Sequence, residues 1–190
     1  ASSPNGEGAH LFVLHHGFHG SSYDLRLIRS YILLLFPNAM VMASQVNEDN
    51  SEASIMTMGS RLAAEIRNFV MHKCPELSNP AKANRLSFVG HSVGSVVIRA
   101  ALTSPLLEPF HSKMYCFISL SSPHLGNTYI PSAIVSAGIW ALKRLRKAQV
   151  LDELQMLDAS SPEDTVMFKL SLDRGMSFFK HVVLVSGHQD

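Results

Sequence analysis

The sequence has only two cysteines, no long apolar run and almost no net charge, and each shortage argues against a class of protein. Cys74 and Cys116 lie far apart in the chain, which argues against a disulfide scaffold or a zinc module. No apolar run approaches the roughly 18 residues that a membrane-spanning helix needs. Sixteen Lys and Arg against fifteen Asp and Glu leave a formal net charge of +1. A nucleic-acid surface requires a clustered basic excess, so we expect no nucleic-acid partner.

Apolar residues make up 46% of the 190 residues and charged residues only 16%, so much of the chain must enter a core. No internal repeat or linker divides the sequence, which predicts a single domain over residues 1–190. The first residues contain no basic segment followed by an apolar one, and so give no signal peptide. Together with the low cysteine count, this favours a cytoplasmic protein.

Five short apolar runs alternate with segments of helical periodicity. The runs cover residues 10–15, 39–43, 86–89, 115–120 and 181–186. The clearest helical segment extends from Ser54 to about His72, with its apolar residues on one stripe. Near-continuous apolar strands separated by helices predict an α/β fold, with a mostly parallel sheet covered by helices on both faces. In such sheets the ligand lies beyond the carboxyl ends of the strands, which is where each run here meets polar residues or glycine.

The sharpest motif is Gly90-His91-Ser92-Val93-Gly94, which matches the G-x-S-x-G pattern. It directly follows an apolar strand and precedes an apolar helix, as a nucleophile elbow requires. Such a turn raises the Ser92 hydroxyl above the sheet at a helix N-terminus, where the helix dipole favours a developing anion. The context predicts Ser92 as a catalytic nucleophile. The alternative is a strand–helix turn with a solvent-facing serine.

Acyl transfer also needs donors that bind the oxyanion. The backbone N–H of Val93, directly after the nucleophile, is one predicted donor. The other is predicted in the loop after the first strand, His16-Gly17-Phe18-His19-Gly20, where the glycines allow close approach. In that loop the N–H of Phe18 is the natural donor, and the alternative is a plain strand–helix turn.

Four segments together resemble the lipase-like serine esterase family. They are residues 10–29, residues 89–95 with Ile98-Arg99, residues 120–126, and residues 179–185 with Gln189-Asp190. The resemblance follows the order of nearly the whole chain and is nearest to the esterase domain at the C-terminus of large eukaryotic proteins. It implies an α/β-hydrolase fold, an ester or lipid substrate and a place in lipid metabolism. It also implies Ser92 as the nucleophile and Asp190 as the acid of the triad.

Topology points to the same acid. In α/β-hydrolases the nucleophile, the acid and the histidine follow one another in that order, and Asp190 directly follows the fifth predicted strand. Competing carboxylates such as Asp152 and Asp173 lie in a helical stretch away from a strand end. The catalytic histidine should follow Asp190, and all ten histidines precede it. We therefore expect residues 1–190 to be an incomplete domain, truncated at its C-terminal end and nearly inactive alone.

The histidines that are present are interpreted as structural. His91 adjoins the nucleophile but points elsewhere from the elbow, and His124, in a turn after the fourth strand, is the alternative candidate for the base. His15, His16 and His19 have no accompanying carboxylate, so we expect no metal site there. We also expect no organic cofactor, because the nucleophile, a base and backbone dipoles suffice for ester hydrolysis.

Residues 127–176, after the fourth strand, are predicted as a mostly helical insert at the place where α/β-hydrolases carry lids. Within it Val135, Ile139 and Leu142 form an apolar stripe, whereas Trp140 lies among Lys and Arg. This pattern favours a solvated helix with Trp140 packed on a neighbouring helix. The alternative is an interfacial helix that makes peripheral contact with anionic lipid headgroups.

The sequence thus predicts a serine carboxylic-ester hydrolase that acts on a small ester or lipid through a Ser92 acyl-enzyme. One alternative is a non-catalytic interaction domain that has kept the elbow and lost the base. Another is an acyltransferase or thioesterase, which would use the same nucleophile and differ only in the acceptor. Nucleotide binding is disfavoured because the chain offers neither G-x-G-x-x-G nor a phosphate-binding lysine after its glycine loop.

Overall fold

The computed structural model describes residues 8–79, 83–126 and 148–187, and these contain a five-stranded parallel sheet. The strands are β1 (His10–His15), β2 (Met40–Ala43), β3 (Arg85–His91), β4 (Met114–Leu120) and β5 (His181–Val185). Their order is β2-β1-β3-β4-β5, and every neighbouring pair is parallel. The predicted α/β fold is confirmed, with each strand at one of the apolar runs. All carboxyl ends therefore meet at one edge of the sheet.

Three helices cover the sheet from both sides: α1 (Arg26–Leu35), α2 (Ile55–Lys73) and α3 (Val93–Leu102). The alternation of side chains in β1 divides the core into two layers. Leu11 and Val13 belong to the large cluster that contains the buried residues of α2 and α3. Phe12 and Leu14 belong to a smaller cluster on the other face, with α1. Placing α2 and α3 on one face positions the N-terminus of α3 above the carboxyl end of β3.

The helical segment that follows β1 begins at a capping box and continues as a 3-10 helix before it becomes α-helical. Ser21 N–H donates to the Asp24 carboxylate at 2.8 Å, as in a capping box, but the turn that follows is the 3-10 helix Ser22–Leu25. The α-helical part starts only at Arg26. At its end Leu35 is 69% exposed, so this apolar side chain does not lie on the buried face of the helix.

The described part of the predicted insert contains two short α-helices, α4 (Gln149–Leu154) and α5 (Val166–Leu172), with the 3-10 helix Pro162–Asp164 between them. A buried carboxylate joins α4 to the start of α2, because Glu153 Oε2 accepts a hydrogen bond from Ile55 N–H at 2.6 Å. Burial is the main cause that raises the pKa of Glu153 to about 7. Residues 127–147, including Trp140 and the predicted lipid contact, lie outside the described residues.

Strand β5 departs from the expectation of a covered sheet. All five of its residues are exposed, with Leu184 at 62%. β5 is the edge strand of the described sheet, and none of the described helices shields its two faces, so its apolar side chains remain open to solvent. Across the ranges that the structure describes, no helix combines the length and the apolar character needed to cross a membrane.

Candidate active site

Ser92 occupies a strained turn between β3 and α3. Its φ is 53°, in the left-handed region that costs a non-glycine residue about 1–2 kcal/mol. A hydrogen bond from Ser92 N–H to Leu120 O, 2.8 Å long, fixes this conformation to the end of β4. Ser92 is also the residue before the first turn of α3 and is half-buried. The serine predicted from G-x-S-x-G is therefore held above the carboxyl edge of the sheet.

The loop after β1 forms a turn that lies directly against Ser92. Gly20 N–H donates to Gly17 O at 3.1 Å, and the third residue of this turn, His19, has a φ of 52°. A Cβ atom placed on Gly17 would lie 3.1 Å from Ser92 Cβ. The turn 17–20 and the nucleophile elbow thus approach each other more closely than a side chain on Gly17 would comfortably allow.

The backbone before this turn also touches the first turn of α3. A Cβ atom on Gly94 would lie 2.3 Å from His16 O and 2.6 Å from His15 O. Val93, between Ser92 and Gly94, is buried at the start of the helix, where N–H groups have no partner within the helix. Phe18 N–H likewise has no acceptor among the described residues. The structure therefore brings Ser92 and both predicted oxyanion donors to one place.

The two predicted oxyanion donors stand at the positive end of the α3 dipole, which favours a developing negative charge there. The predicted acid, Asp190, lies outside the described residues, so its position relative to Ser92 is not part of this geometry.

Residues 48–52, which follow β2, brace the turn and were missed by sequence reasoning. Ser51 Oγ accepts a hydrogen bond from His19 N–H at 2.9 Å, and Glu48 Oε1 accepts one from Ser22 N–H at 2.6 Å. The His19 ring contacts Glu52 Oε1 at 2.8 Å. These contacts hold His19 in its left-handed conformation. The segment could have been identified from its position after β2, because the carboxyl end of β2 lies at the same edge of the sheet as Ser92.

Two buried histidines, His15 at the end of β1 and His16 directly after it, lie beside the site. His15 Nδ1 lies 2.9 Å from His16 O, and His15 Nε2 lies 3.0 Å from the side-chain nitrogen of Asn47. A carbonyl only accepts, so Nδ1 carries the proton and Nε2 accepts from Asn47. Burial is the main cause that lowers the pKa of His15 to about 4. Among the described residues no cluster of three or more His, Cys, Asp or Glu could hold a metal ion.

This environment predicts that acid destabilises the protein partly through His15. The pKa of His15 is about 4 in the folded protein, below the ordinary 6.5 of a histidine in the unfolded chain, so between these pH values the unfolded chain binds more protons. The stabilisation is complete above pH 6.5 and is lost as pH falls towards 4, by on the order of 3 kcal/mol. We expect His15→Gln to have a flatter dependence of unfolding free energy on pH between 4 and 6.5. Equal slopes for the wild type and this variant would contradict the assignment.

His124, the alternative candidate for the base, belongs to a polar network behind the elbow. Its Nε2 lies 2.8 Å from Ser119 Oγ, which donates to Ser95 Oγ at 2.9 Å. Since the Ser119 proton is directed to Ser95, His124 Nε2 must donate its own. Burial first, and then the charge of Arg99, lower the pKa of His124 to about 4. This arrangement favours the structural interpretation of His124.

No histidine in the described ranges hydrogen-bonds to Ser92. His91 is exposed beside Gly17, and each of the three other histidines around the turn already has a hydrogen-bond partner. The described residues thus hold the predicted nucleophile and the predicted oxyanion donors, and no described histidine is in hydrogen-bond contact with Ser92.

Arg99 joins three parts of the chain behind the site. From α3 its guanidinium donates to His124 O at 3.1 Å and to Leu170 O, in α5, at 2.7 Å. We expect Arg99→Met to lower the free energy of unfolding by about 2 kcal/mol, since it removes two charge-assisted hydrogen bonds and keeps the aliphatic volume. Urea unfolding would measure this, with the exposed Arg67→Met as the matched control. An equal, small effect of both substitutions would show that Arg99 does not hold α5 in place.

A parallel sheet with a strained serine between a strand and a helix at its carboxyl edge defines the α/β-hydrolase class. Residues 5–190 match the family described as "Putative serine esterase (DUF676)", and the chain belongs to this family. The predicted resemblance is therefore confirmed.

Solved structures share the fold at low sequence identity. Phospholipase PlaB from Legionella pneumophila aligns over 95% of this chain and 39% of its own length, with 14% identity and a TM-score of 0.57. The lin2722 gene product from Listeria innocua aligns over 93% of this chain and 83% of its own length, with 10% identity and a TM-score of 0.51. This chain thus spans well under half the length of PlaB. At these identities, both similarities show that the fold is shared and nothing more.

Proposed function

We propose that the protein hydrolyses carboxylic esters through an acyl-enzyme on Ser92. The observation that carries the proposal is the left-handed Ser92, with Gly17 packed against its Cβ. A strained serine at a helix N-terminus, next to a turn with a free N–H group, matches what nucleophilic attack and oxyanion binding require. The esterase family of the chain supports the same reaction.

In this mechanism Ser92 Oγ attacks the ester carbonyl carbon while its proton passes to a base. The carbonyl oxygen becomes an anion that accepts hydrogen bonds from the N–H groups of Phe18 and Val93. The carbon–oxygen bond of the leaving alcohol then breaks, and the alcohol takes the proton from the base. Water attacks the acyl-enzyme in the same way and releases the carboxylic acid and free Ser92.

The base and the acid are proposed to come from outside the described residues. Asp190, three residues beyond the last described position, would be the acid that orients the histidine. The proposal for the histidine is that it follows Asp190, since no described histidine hydrogen-bonds to Ser92 and those near it, apart from the exposed His91, are engaged elsewhere. The full-length protein is therefore the form to assay.

The test is labelling with a fluorophosphonate, which forms a covalent bond with an activated serine. We expect labelling of the full-length protein, its loss in Ser92→Ala, and its retention in Ser60→Ala, a change in an exposed serine of α2. Turnover would be measured with short-chain and long-chain esters and with a phospholipid, because PlaB is named a phospholipase. A folded full-length protein that resists labelling would overturn the proposal and support a non-catalytic interaction domain.

Substitution of the predicted acid is a second part of the test. If Asp190 orients the histidine, Asp190→Asn should lower turnover by about 10⁴-fold while the protein remains folded. Unchanged turnover would remove Asp190 from the mechanism and leave Ser92 as the nucleophile.

A further inference from the structure

The His16 side chain is buried beside the turn 17–20, and among the described residues its ring makes one hydrogen bond. It is 1% exposed, and its Nδ1 lies 2.9 Å from Gly17 O. Because a carbonyl oxygen only accepts, Nδ1 must carry the proton. Nε2 is also buried and has no partner among the described residues. The polar function of this imidazole is therefore the bond to Gly17 O.

This bond acts on the peptide group that carries the predicted oxyanion donor. Gly17 O accepts from His16 Nδ1–H and from Gly20 N–H, so two donors fix the direction of this carbonyl. The peptide between Gly17 and Phe18 is trans, so its N–H points opposite to its C=O. Fixing the carbonyl therefore fixes the direction of Phe18 N–H, which has no acceptor of its own among the described residues.

The ring itself is held firmly enough to act as a support. It stacks on the His15 ring with centroids 4.9 Å apart and an interplanar angle of 22°. The His16 carbonyl abuts the position of Gly94 at the start of α3. The backbone of His16 is thus fixed to the helix that follows Ser92, while its side chain holds the turn.

From this geometry we propose that His16 is a positioning residue of the oxyanion hole. Its Nδ1–H holds the Gly17–Phe18 peptide so that Phe18 N–H is available to the substrate oxygen. The inference rests on the proposed function of Ser92. His16 touches neither substrate nor nucleophile, and acts only through the peptide group that it orients.

Three substitutions test whether His16 orients the Gly17–Phe18 peptide or only fills space in the core. His16→Asn keeps an N–H at the same number of bonds from the backbone as Nδ1, whereas His16→Gln places it one bond further out. His16→Leu removes the donor. We expect kcat of the Leu and Gln variants to fall by about 10²–10³-fold with KM little changed, as for loss of one oxyanion donor. The Asn variant should recover most of kcat. His72→Leu, on the exposed surface of α2, is the matched control.

The Phe18 amide gives a readout that does not depend on turnover. In the wild type and in His16→Asn we expect one sharp ¹H–¹⁵N signal. In His16→Gln the released peptide should exchange between orientations on the microsecond to millisecond scale and broaden the signal in relaxation-dispersion experiments. An unchanged Phe18 signal in His16→Gln, or equal kcat losses in the Asn and Gln variants, would overturn the proposal.

Failure of the proposed function would look different. If ester hydrolysis survived Ser92→Ala, the nucleophile itself would be wrong, whatever the His16 variants did. If Ser92→Ala abolished hydrolysis and His16→Leu left kcat within about threefold of the wild type, only the function of His16 would be rejected.

Discussion

Replacing Ser92 by alanine is expected to reduce turnover of an ester by about 10⁶-fold in the full-length protein, because the substitution removes the oxygen that we propose as the attacking atom. The remaining rate would come from substrate binding and from the oxyanion donors, which the substitution leaves in place. The measurement is kcat under saturating ester, with circular dichroism to show that the variant is folded. Turnover within tenfold of the wild type would assign the activity to another residue.

The Ser92→Gly substitution distinguishes the effect of losing the hydroxyl from the effect of backbone strain at this position. Ser92 has a φ of 53°, which glycine adopts freely and alanine does not. Ser92→Gly should therefore be as inactive as Ser92→Ala and about 1 kcal/mol more stable than it in urea unfolding. Equal stabilities of the two variants would mean that the elbow is not strained in solution.

The fold was predictable from the sequence because its main signals are local. Each strand is a short apolar run, and α2 has a clean apolar stripe between the Ser54 cap and the polar residues at its end. The prediction that every strand is buried was wrong for β5, because burial depends on residues distant in sequence. The apolar run of β5 predicted a buried strand, yet burial depends on which elements cover a strand, and β5 is the edge of the described sheet.

Sequence motifs predicted only part of the candidate site. G-x-S-x-G predicted functions for Ser92 and Val93, and the two glycines after β1 predicted a turn at Phe18; the structure places this turn against Ser92. Asn47 and Glu48 belong to no motif, although they contact the residues around the turn. Their function appears only when parallel strands bring the ends of β1 and β2 together, since the contacts join residues more than twenty positions apart. The catalytic functions of Ser92, Phe18 and Val93 stay predictions, as do the acid and the base, and Asp190 is outside the described residues.

The contact between the turn and α3 predicts the largest effect on folding. A Cβ atom on Gly94 would meet two backbone carbonyl oxygens, His16 O at 2.3 Å and His15 O at 2.6 Å. Backbone atoms cannot rotate away as a flexible side chain can, so β1 or α3 would have to shift. We expect Gly94→Ala to lower the free energy of unfolding by about 3 kcal/mol, measured by urea unfolding. An unchanged urea midpoint would show that β1 and α3 are further apart than described.

Gly17→Ala is the matched comparison for Gly94→Ala, because it adds the same methyl group at a position where the neighbouring atoms are further away. Its Cβ would lie 3.1 Å from Ser92 Cβ and 3.3 Å from His91 Nδ1, distances that a small shift can relieve. We expect a loss of stability below about 1 kcal/mol. The shift would displace the turn from the nucleophile, and turnover should fall on the order of 10–100-fold. If the two variants lost stability equally and Gly17→Ala kept full turnover, the turn would not adjoin Ser92 in the working enzyme.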